Sequence, residues 1–212
     1  MKYQAIIFDL DGVIVHTDEF HYQAWKKIAD KIGAPFDRNI NERLRGVSRM
    51  ASLEIILSGT DASFSETEKQ MLAEEKNNEY RNLLATMSPK DVPKETLKTL
   101  SALKEMGVKL AIGSSSKNAR YILERVGLIG EFDAISDGNN ITHSKPDPEV
   151  FLKAAQFLCL ESAACVVVED AEAGIDAAVA SGFASAGIGS AAKYPKCTYS
   201  LNVLSDLIGF IR

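Results

Sequence analysis

The chain opens on Ala5-Ile6-Ile7-Phe8, four apolar residues in a row with no polar alternation. Such a run predicts a strand buried on both faces, as in a parallel sheet covered by helices. Asp9, Leu10, Asp11 and Gly12 follow at once. At a strand end, alternation points Asp9 and Asp11 to one side and Leu10 away. From Asp18 the period becomes helical, with Phe20, Ala24, Trp25, Ile28 and Ile32 on the apolar face. Asp18 is placed to cap this helix and Gly33-Ala34-Pro35 to stop it. Two shorter helical patterns flank Arg45-Gly46-Val47-Ser48-Arg49, the second using Leu53, Ile56 and Leu57. Ser65 is placed to cap a highly charged helix reaching about Leu84, with Glu68 at the capping-box position. Nothing between about 18 and 84 reads as a strand.

After Ser88-Pro89, helices and strands alternate. Leu97, Leu100, Leu103 and Met106 mark a helix ended by Gly107, and Val108 to Ile112 a strand that closes on Gly113 to Ser116. Asn118 begins a helix through Ala119, Ile122, Leu123 and Val126. A short strand is predicted near Phe132 to Ile135. The turn Ser144-Lys145-Pro146-Asp147-Pro148 and a helix through Phe151, Ala154 and Ala155 come next. Cys165 to Val168 reads as another buried strand, running straight into Glu169-Asp170. A helix with Ala173, Ile175 and Val179 ends at Gly182, and one more strand and a terminal helix finish the chain. The alternation predicts an α/β fold, a doubly wound parallel-sheet (Rossmann-like) core with right-handed crossovers. The all-helical block is then an insertion: residues 1–15 and 88–212 form the core and 16–87 a helical cap domain.

Composition narrows the function classes. Of 212 residues 46% are hydrophobic and 25% charged, ordinary for a soluble globular protein. A net charge of −5 with no long basic run gives no nucleic-acid footprint. The longest apolar runs are strand-sized, and the first is cut off by Asp9, unlike a membrane span or a signal peptide. Cys159, Cys165 and Cys197 are sparse, odd in number and not spaced for a metal, which suggests reduced thiols. A cytoplasmic protein is expected, and a monomer, since no surface stripe reads as a dimer seam.

In a doubly wound sheet, ligands bind beyond the carboxyl ends of the strands. The polar residues there are Asp9 and Asp11, Ser114 to Asn118, and Glu169 with Asp170, while Lys145 precedes a helix in the same half. Carboxylates from two strands suit a hard cation such as Mg²⁺, and a Ser hydroxyl, helix-start N–H groups and one Lys suit a phosphoryl group. A carboxylate pair also suits a nucleophile with its acid/base partner. Each cluster alone has an ordinary reading, as a polar turn, a solvated charge or a helix start. Four in register on successive strand ends point to one site.

These four clusters, Asp9-Leu10-Asp11-Gly12-Val13, Ser114, Lys145-Pro146 and Glu169-Asp170, resemble the motifs of the haloacid dehalogenase superfamily of phosphoryl-transfer enzymes. The helical insertion resembles the small cap of one subgroup, and the resemblance covers essentially the whole chain. Cap residues draw it closer to the β-phosphoglucomutase family. Thr17 and His21 resemble that family's hinge and acid/base-orienting positions, and Lys76 its cap lysine. The loop Arg45-Gly46-Val47-Ser48-Arg49 resembles the one that grips substrate, and Ser116, Lys117 and Asn118 the core loop that, with Arg49, binds the non-reacting phosphate. Taken singly, His21 also reads as a half-buried helix residue and Lys76 as a solvated charge. Three departures stand out: Arg45 replaces Lys, His16 replaces Asp in the linker, and Pro93-Lys94-Glu95 replaces a Pro-Gly turn.

The resemblance implies Asp9 as nucleophile and Asp11 as general acid and base. It implies Mg²⁺ held by Asp9, the Asp11 carbonyl, Asp170 and Glu169, with Ser114 and Lys145 on the phosphoryl group, and cap closure against water. A small sugar phosphate would be the only partner, with no nucleic acid or membrane. The alternatives are a sugar-phosphate phosphatase of the same fold and a non-catalytic sugar-phosphate-binding protein. Intact Asp9, Asp11, Lys145 and Asp170 argue against a mere binder.

Overall fold

The computed structural model describes residues 2–211, which fall into two compact units, one of residues 2–16 with 87–211 and one of Thr17–Thr86. In the first unit six parallel strands form one sheet. They are β1 (Ala5–Phe8), β2 (Lys109–Gly113), β3 (Ala134–Ser136), β4 (Cys165–Glu169), β5 (Ala184–Gly187) and β6 (Tyr199–Ser200), in the order β3-β2-β1-β4-β5-β6. The order reverses between β1 and β4, and such a switch point opens a crevice at the carboxyl ends of those two strands. All four residues of β1 are fully buried, which is why the strand carries no polar alternation.

The helices of this unit are α5 (Lys94–Glu105), α6 (Ala119–Arg125), α7 (Glu149–Leu158), α8 (Glu172–Ala180) and α9 (Leu207–Ile211), numbered after the four of the second unit. Ala5 and Ile7 of β1 join Val150, Phe151, Ala154 and Leu158 of α7 and Ala177 and Ala178 of α8 in one apolar cluster. At the end of β2, Gly113 leaves room for Phe151, whose ring would lie 2.6 Å from a Cβ there.

The second unit is helical throughout: α1 (Asp18–Ile32), α2 (Arg38–Glu42), α3 (Arg49–Leu57) and α4 (Glu66–Leu84). Its core is Trp25, Ile28 and Ala29 of α1 with Leu53, Ile56 and Leu57 of α3 and Leu72 and Ala73 of α4, closed by Phe36 and Leu44. The capping box at α4 forms as the sequence predicts: the Ser65 N–H donates to Glu68 Oε2 at 2.8 Å and the Glu68 N–H to Ser65 Oγ at 3.3 Å.

Some sequence expectations shift. Thr17, not Asp18, is the N-cap of α1, and its side chain makes no capping hydrogen bond. Asp18 is the first helical residue and accepts a bond from Arg45 Nη2 at 2.9 Å. Strands β2 and β3 each end one residue later than the hydrophobic pattern suggests, and the two-residue β6 was not anticipated.

Candidate active site

In the first unit, the strand ends bring together Asp9, Lys145, Glu169 and Asp170. Asp9 follows β1 directly, and its N–H still donates to the Val168 carbonyl of β4 at 2.9 Å, so the sheet ladder holds it. Glu169 closes β4, and its Oε1 accepts the N–H groups of Asp170 and Ala171, both at 3.2 Å. Lys145 sits in the turn before α7 and is joined to Pro146 by a cis peptide bond. Its ammonium donates to Asp9 Oδ1 and, at 2.7 Å, to Glu169 Oε2, and it lies 4.7 Å from the centre of the Phe151 ring.

Burial opposes the Lys145 charge, but Asp9 and Glu169 outweigh it and hold the ammonium above its usual range. Glu169 moves up as well: burial is the main cause, Asp9 adds to it and Lys145 opposes it. The two carboxylates thus account for the Lys145 shift, while for Glu169 the neighbouring Asp9 only adds to the effect of burial.

Asp9, Glu169 and Asp170 each offer a carboxylate oxygen, all within 4.8 Å of one another. Three carboxylates against one ammonium leave two negative charges when all are ionised, the charge of one divalent cation. Oxygen donors alone suit a hard ion, so the trio fits Mg²⁺. Two glycines keep the cradle open. A Cβ at Gly12, whose φ is +83°, would run into the Asp170 carboxylate, and one at Gly174 of α8 into that of Glu169. The Asp11 side chain is not one of the three, and its metal contact was expected through the main-chain carbonyl.

Ser114 follows β2 directly and is buried, and its N–H donates to the Ser136 carbonyl at 3.1 Å. Its Oγ accepts the Ser116 N–H, and Ser116 Oγ accepts the Asn118 N–H, both at 3.2 Å. Ser114, Ser116, Lys117 and Asn118 thus form one tight loop leading into α6, with Lys117 exposed and Asn118 buried. Ser115 ties this loop to the lysine turn, its Oγ accepting the Lys145 N–H at 3.4 Å.

A second trio, His143, Asp147 and Glu149, also has carboxylate and imidazole atoms within 4.8 Å. Glu149 there accepts N–H bonds from Thr142 at 2.7 Å and His143 at 2.8 Å and pairs with Lys153 at 2.8 Å. These bonds make it a clamp on the turn before α7.

In the second unit, Lys76 and His21 come together. Lys76 is 3% exposed, on a helix otherwise rich in solvated charge. Its Nζ lies 2.8 Å from His21 Nδ1, 4.4 Å from the Tyr80 ring centre and 5.0 Å from that of Trp25. His21 stacks on Tyr80 with centroids 4.0 Å apart, and the Tyr80 hydroxyl is 2.9 Å from Thr17 Oγ1. The ammonium can only donate, so Nδ1 accepts and the neutral ring carries its proton on Nε2. The sequence reading did not include Tyr80 and Trp25 in the site, although each stands four residues beyond its partner on the same helix face, Tyr80 after Lys76 and Trp25 after His21.

Burial holds His21 well below its ordinary 6.5, and Lys76 and Arg49 add to the effect. The His21 ring is therefore expected to stay neutral as pH falls through 6.5, while the unfolded chain takes up a proton there. Stability from this group is complete above about 6.5 and is lost as pH falls toward the folded-state pKa. A proton NMR titration should show the His21 ring signals flat through pH 6.5; a midpoint at or above 6.5 would contradict the packing of Lys76 and Tyr80 against the ring.

The loop before α3 is shaped by Gly46, whose φ is +72°. Val47 and Ser48 are half-buried, and Ser48 Oγ caps α3 by accepting the Ala51 N–H at 3.2 Å. Arg49 opens α3, donates from Nη2 to Asn77 Oδ1 at 2.8 Å, and lies 3.6 Å from Glu74. It is pinned to α4 beside Lys76. Asn77 is a further contact that the sequence reading did not include.

The model of the haloacid dehalogenase-like hydrolase family matches residues 3–182. The chain is 45% identical to a β-phosphoglucomutase of Bacillus subtilis (strain 168), over 88% of this chain and 83% of that one. It is 30% identical to a phosphorylated carbohydrates phosphatase of Thermotoga maritima, over 84% of this chain and 82% of that one. The crystal structure of a β-phosphoglucomutase from Clostridium difficile superposes with a TM-score of 0.92 at 39% identity, covering 99% of this chain and 95% of the other.

Proposed function

Because this chain belongs to the haloacid dehalogenase superfamily and, within it, to the β-phosphoglucomutases, we propose that it interconverts β-glucose 1-phosphate and glucose 6-phosphate. The observation that carries the reading is the buried Asp9, held at the end of β1 between Lys145 and the Glu169–Asp170 pair. A carboxylate so placed is a nucleophile with its charge partners already assembled.

An Asp9 carboxylate oxygen attacks phosphorus, forming an aspartyl phosphate as the bond from phosphorus to the sugar oxygen breaks. Asp11 gives its proton to the leaving oxygen and takes one from the attacking hydroxyl in the reverse sense. Ser114 and Lys145 donate to the phosphoryl oxygens as charge builds on them. Mg²⁺, when held by Asp9, Glu169, Asp170 and the Asp11 carbonyl, supplies further neutralisation of that charge. The phosphorylated enzyme donates to β-glucose 1-phosphate, and the resulting glucose 1,6-bisphosphate returns its other phosphate to Asp9.

Ser116, Lys117, Asn118 and Arg49 are assigned the phosphate that is not reacting. Gly46, Val47 and Ser48 shape the loop that carries Arg49. Thr17 and His21 are assigned the positioning of Asp11's proton transfer, and Lys76, the cap lysine, is assigned to binding the substrate. We read the protein as a cytoplasmic monomer that takes a small sugar phosphate, with neither nucleic acid nor membrane as partner. Among the described residues no helix is long and apolar enough to cross a membrane.

The rival is a sugar-phosphate phosphatase, the activity named for the Thermotoga relative. A coupled assay decides between them. β-Glucose 1-phosphate is supplied with Mg²⁺ and a trace of β-glucose 1,6-bisphosphate, and glucose 6-phosphate and inorganic phosphate are followed in one tube. Glucose 6-phosphate formed far faster than free phosphate supports the mutase; free phosphate with little isomerised sugar sinks it.

A further inference from the structure

The loop from Ser114 to Asn118 is closed internally by short serine bonds, but it is also gripped from outside by the turn that follows β3. This turn, Asp137 to Asn140, is itself rigid. Asp137 Oδ1 accepts the Asn139 N–H at 2.9 Å, and Asn140 Oδ1 accepts the Asp137 N–H at 3.2 Å and the Ser136 hydroxyl at 3.1 Å. Lys153 of α7 donates to the Asn140 carbonyl. Asp137 is 1% exposed, with Arg120 Nε 3.6 Å from its Oδ2.

From this base two bonds reach the neighbouring loop. The Gly138 N–H donates to the Ser116 carbonyl at 3.2 Å, and Asn139 Nδ2 donates to the Lys117 carbonyl at 3.0 Å. The peptide between Lys117 and Asn118 is thereby held at both ends, its carbonyl by Asn139 and its N–H by Ser116 Oγ. Gly138 also has a steric reason to be glycine. A Cβ there would lie 2.9 Å from the Lys117 nitrogen and closer still to the Ser115 carbonyl.

We propose that Asn139 and Gly138 are positioning residues that fix the Ser116–Lys117–Asn118 peptides and so set the grip on the non-reacting phosphate. The proposal rests on the reading of that loop given above. A hydrogen bond between two surface loops is an ordinary fold contact unless it governs function, so the test needs a readout that plain destabilisation would not move. Grip on the second phosphate is shared by ground state and transition state, so its loss raises KM and spares kcat. Acetyl phosphate, offered as a phosphoryl donor to Asp9 with acetate as the leaving group, has no second phosphate for that grip to hold.

For Asn139→Ala, KM for β-glucose 1-phosphate is expected to rise about fivefold, the effect of one net hydrogen bond. kcat and the rate of Asp9 phosphorylation by acetyl phosphate should stay within about twofold, since neither draws on that grip. Asn139→Asp keeps the shape but sets an acceptor against the Lys117 carbonyl, and should be at least as impaired in KM. Ser116→Ala is run beside them and should raise KM as well. An unchanged KM in Asn139→Ala with a raised one in Ser116→Ala overturns the role of Asn139 and leaves the loop reading intact. An acetyl phosphate rate that falls as KM rises overturns it too, because the damage is then general. Unchanged KM in both variants shows that the loop does not hold the phosphate, and the proposal falls with that reading.

Discussion

Asp9→Asn is expected to lower glucose 6-phosphate formation by on the order of 10⁴-fold or more, the scale seen when a nucleophile is removed from an intact site. The amide is nearly the same shape as the carboxylate, and Lys145 keeps Glu169 as its partner at 2.7 Å. Folding should therefore survive, and the loss should be chemical. Its mark is specific: the wild-type protein incubated with acetyl phosphate gains the mass of one phosphoryl group, and the variant gains none. A variant that still turned over within about tenfold of wild type, a loss of only 1.4 kcal/mol, would mean that Asp9 is not the group that takes the phosphate.

Lys145→Met should show the second large effect, in stability as much as in rate. The lysine is buried with two buried carboxylates, and removing one partner of such a group leaves uncompensated charge. The expected cost is roughly 3 kcal/mol in chelator, toward the lower end for breaking a buried ion pair, since the carboxylates can take up protons instead. The sign with pH follows. Glu169 is already pushed up to about 8 by burial and Asp9, with Lys145 opposing, so without the lysine it rises further, and the deficit against wild type should grow from about pH 6 to about pH 9. Added Mg²⁺ should recover part of it, because a cation that binds the folded state stabilises that state. Turnover should fall by about 10²-fold or more even with Mg²⁺ present, as when one donor to a developing charge is lost. Urea unfolding at the two pH values, with and without Mg²⁺, measures this. Equal stability of variant and wild type in chelator would contradict the charge arrangement described for the strand ends.

Much of the core could be read before any coordinates, and for a physical reason. Strands buried on both faces cannot carry charge, so Ala5 to Phe8 and Cys165 to Val168 declare themselves, and the first charged residue after each marks the strand end where ligands bind. Asp9, Glu169 and Asp170 stand at those ends, in the cluster the sequence suggested. Lys76 was less legible. It lies in Glu-Lys-Asn-Asn on a very polar helix, and composition argues for a solvated charge, whereas Trp25, Tyr80 and His21 enclose it. The two i, i+4 pairs were visible, but their meeting across α1 and α4 is a packing fact with no local period. The brace from Asn139 to Lys117 is harder still, because it joins two turns that follow different strands and leaves no trace in hydrophobic spacing. Strand β6, at two residues, is too short to show any alternation.

The central claim is that the enzyme passes on its own phosphoryl group and keeps the one its substrate brought. Asp9 is phosphorylated with ³²P-acetyl phosphate, freed of excess reagent, and mixed with unlabelled β-glucose 1-phosphate for a single turnover. The label is predicted to leave Asp9 for carbon 6 of the sugar, appearing in glucose 1,6-bisphosphate and glucose 6-phosphate. Label recovered chiefly as inorganic phosphate would contradict the account and make the chain a phosphatase.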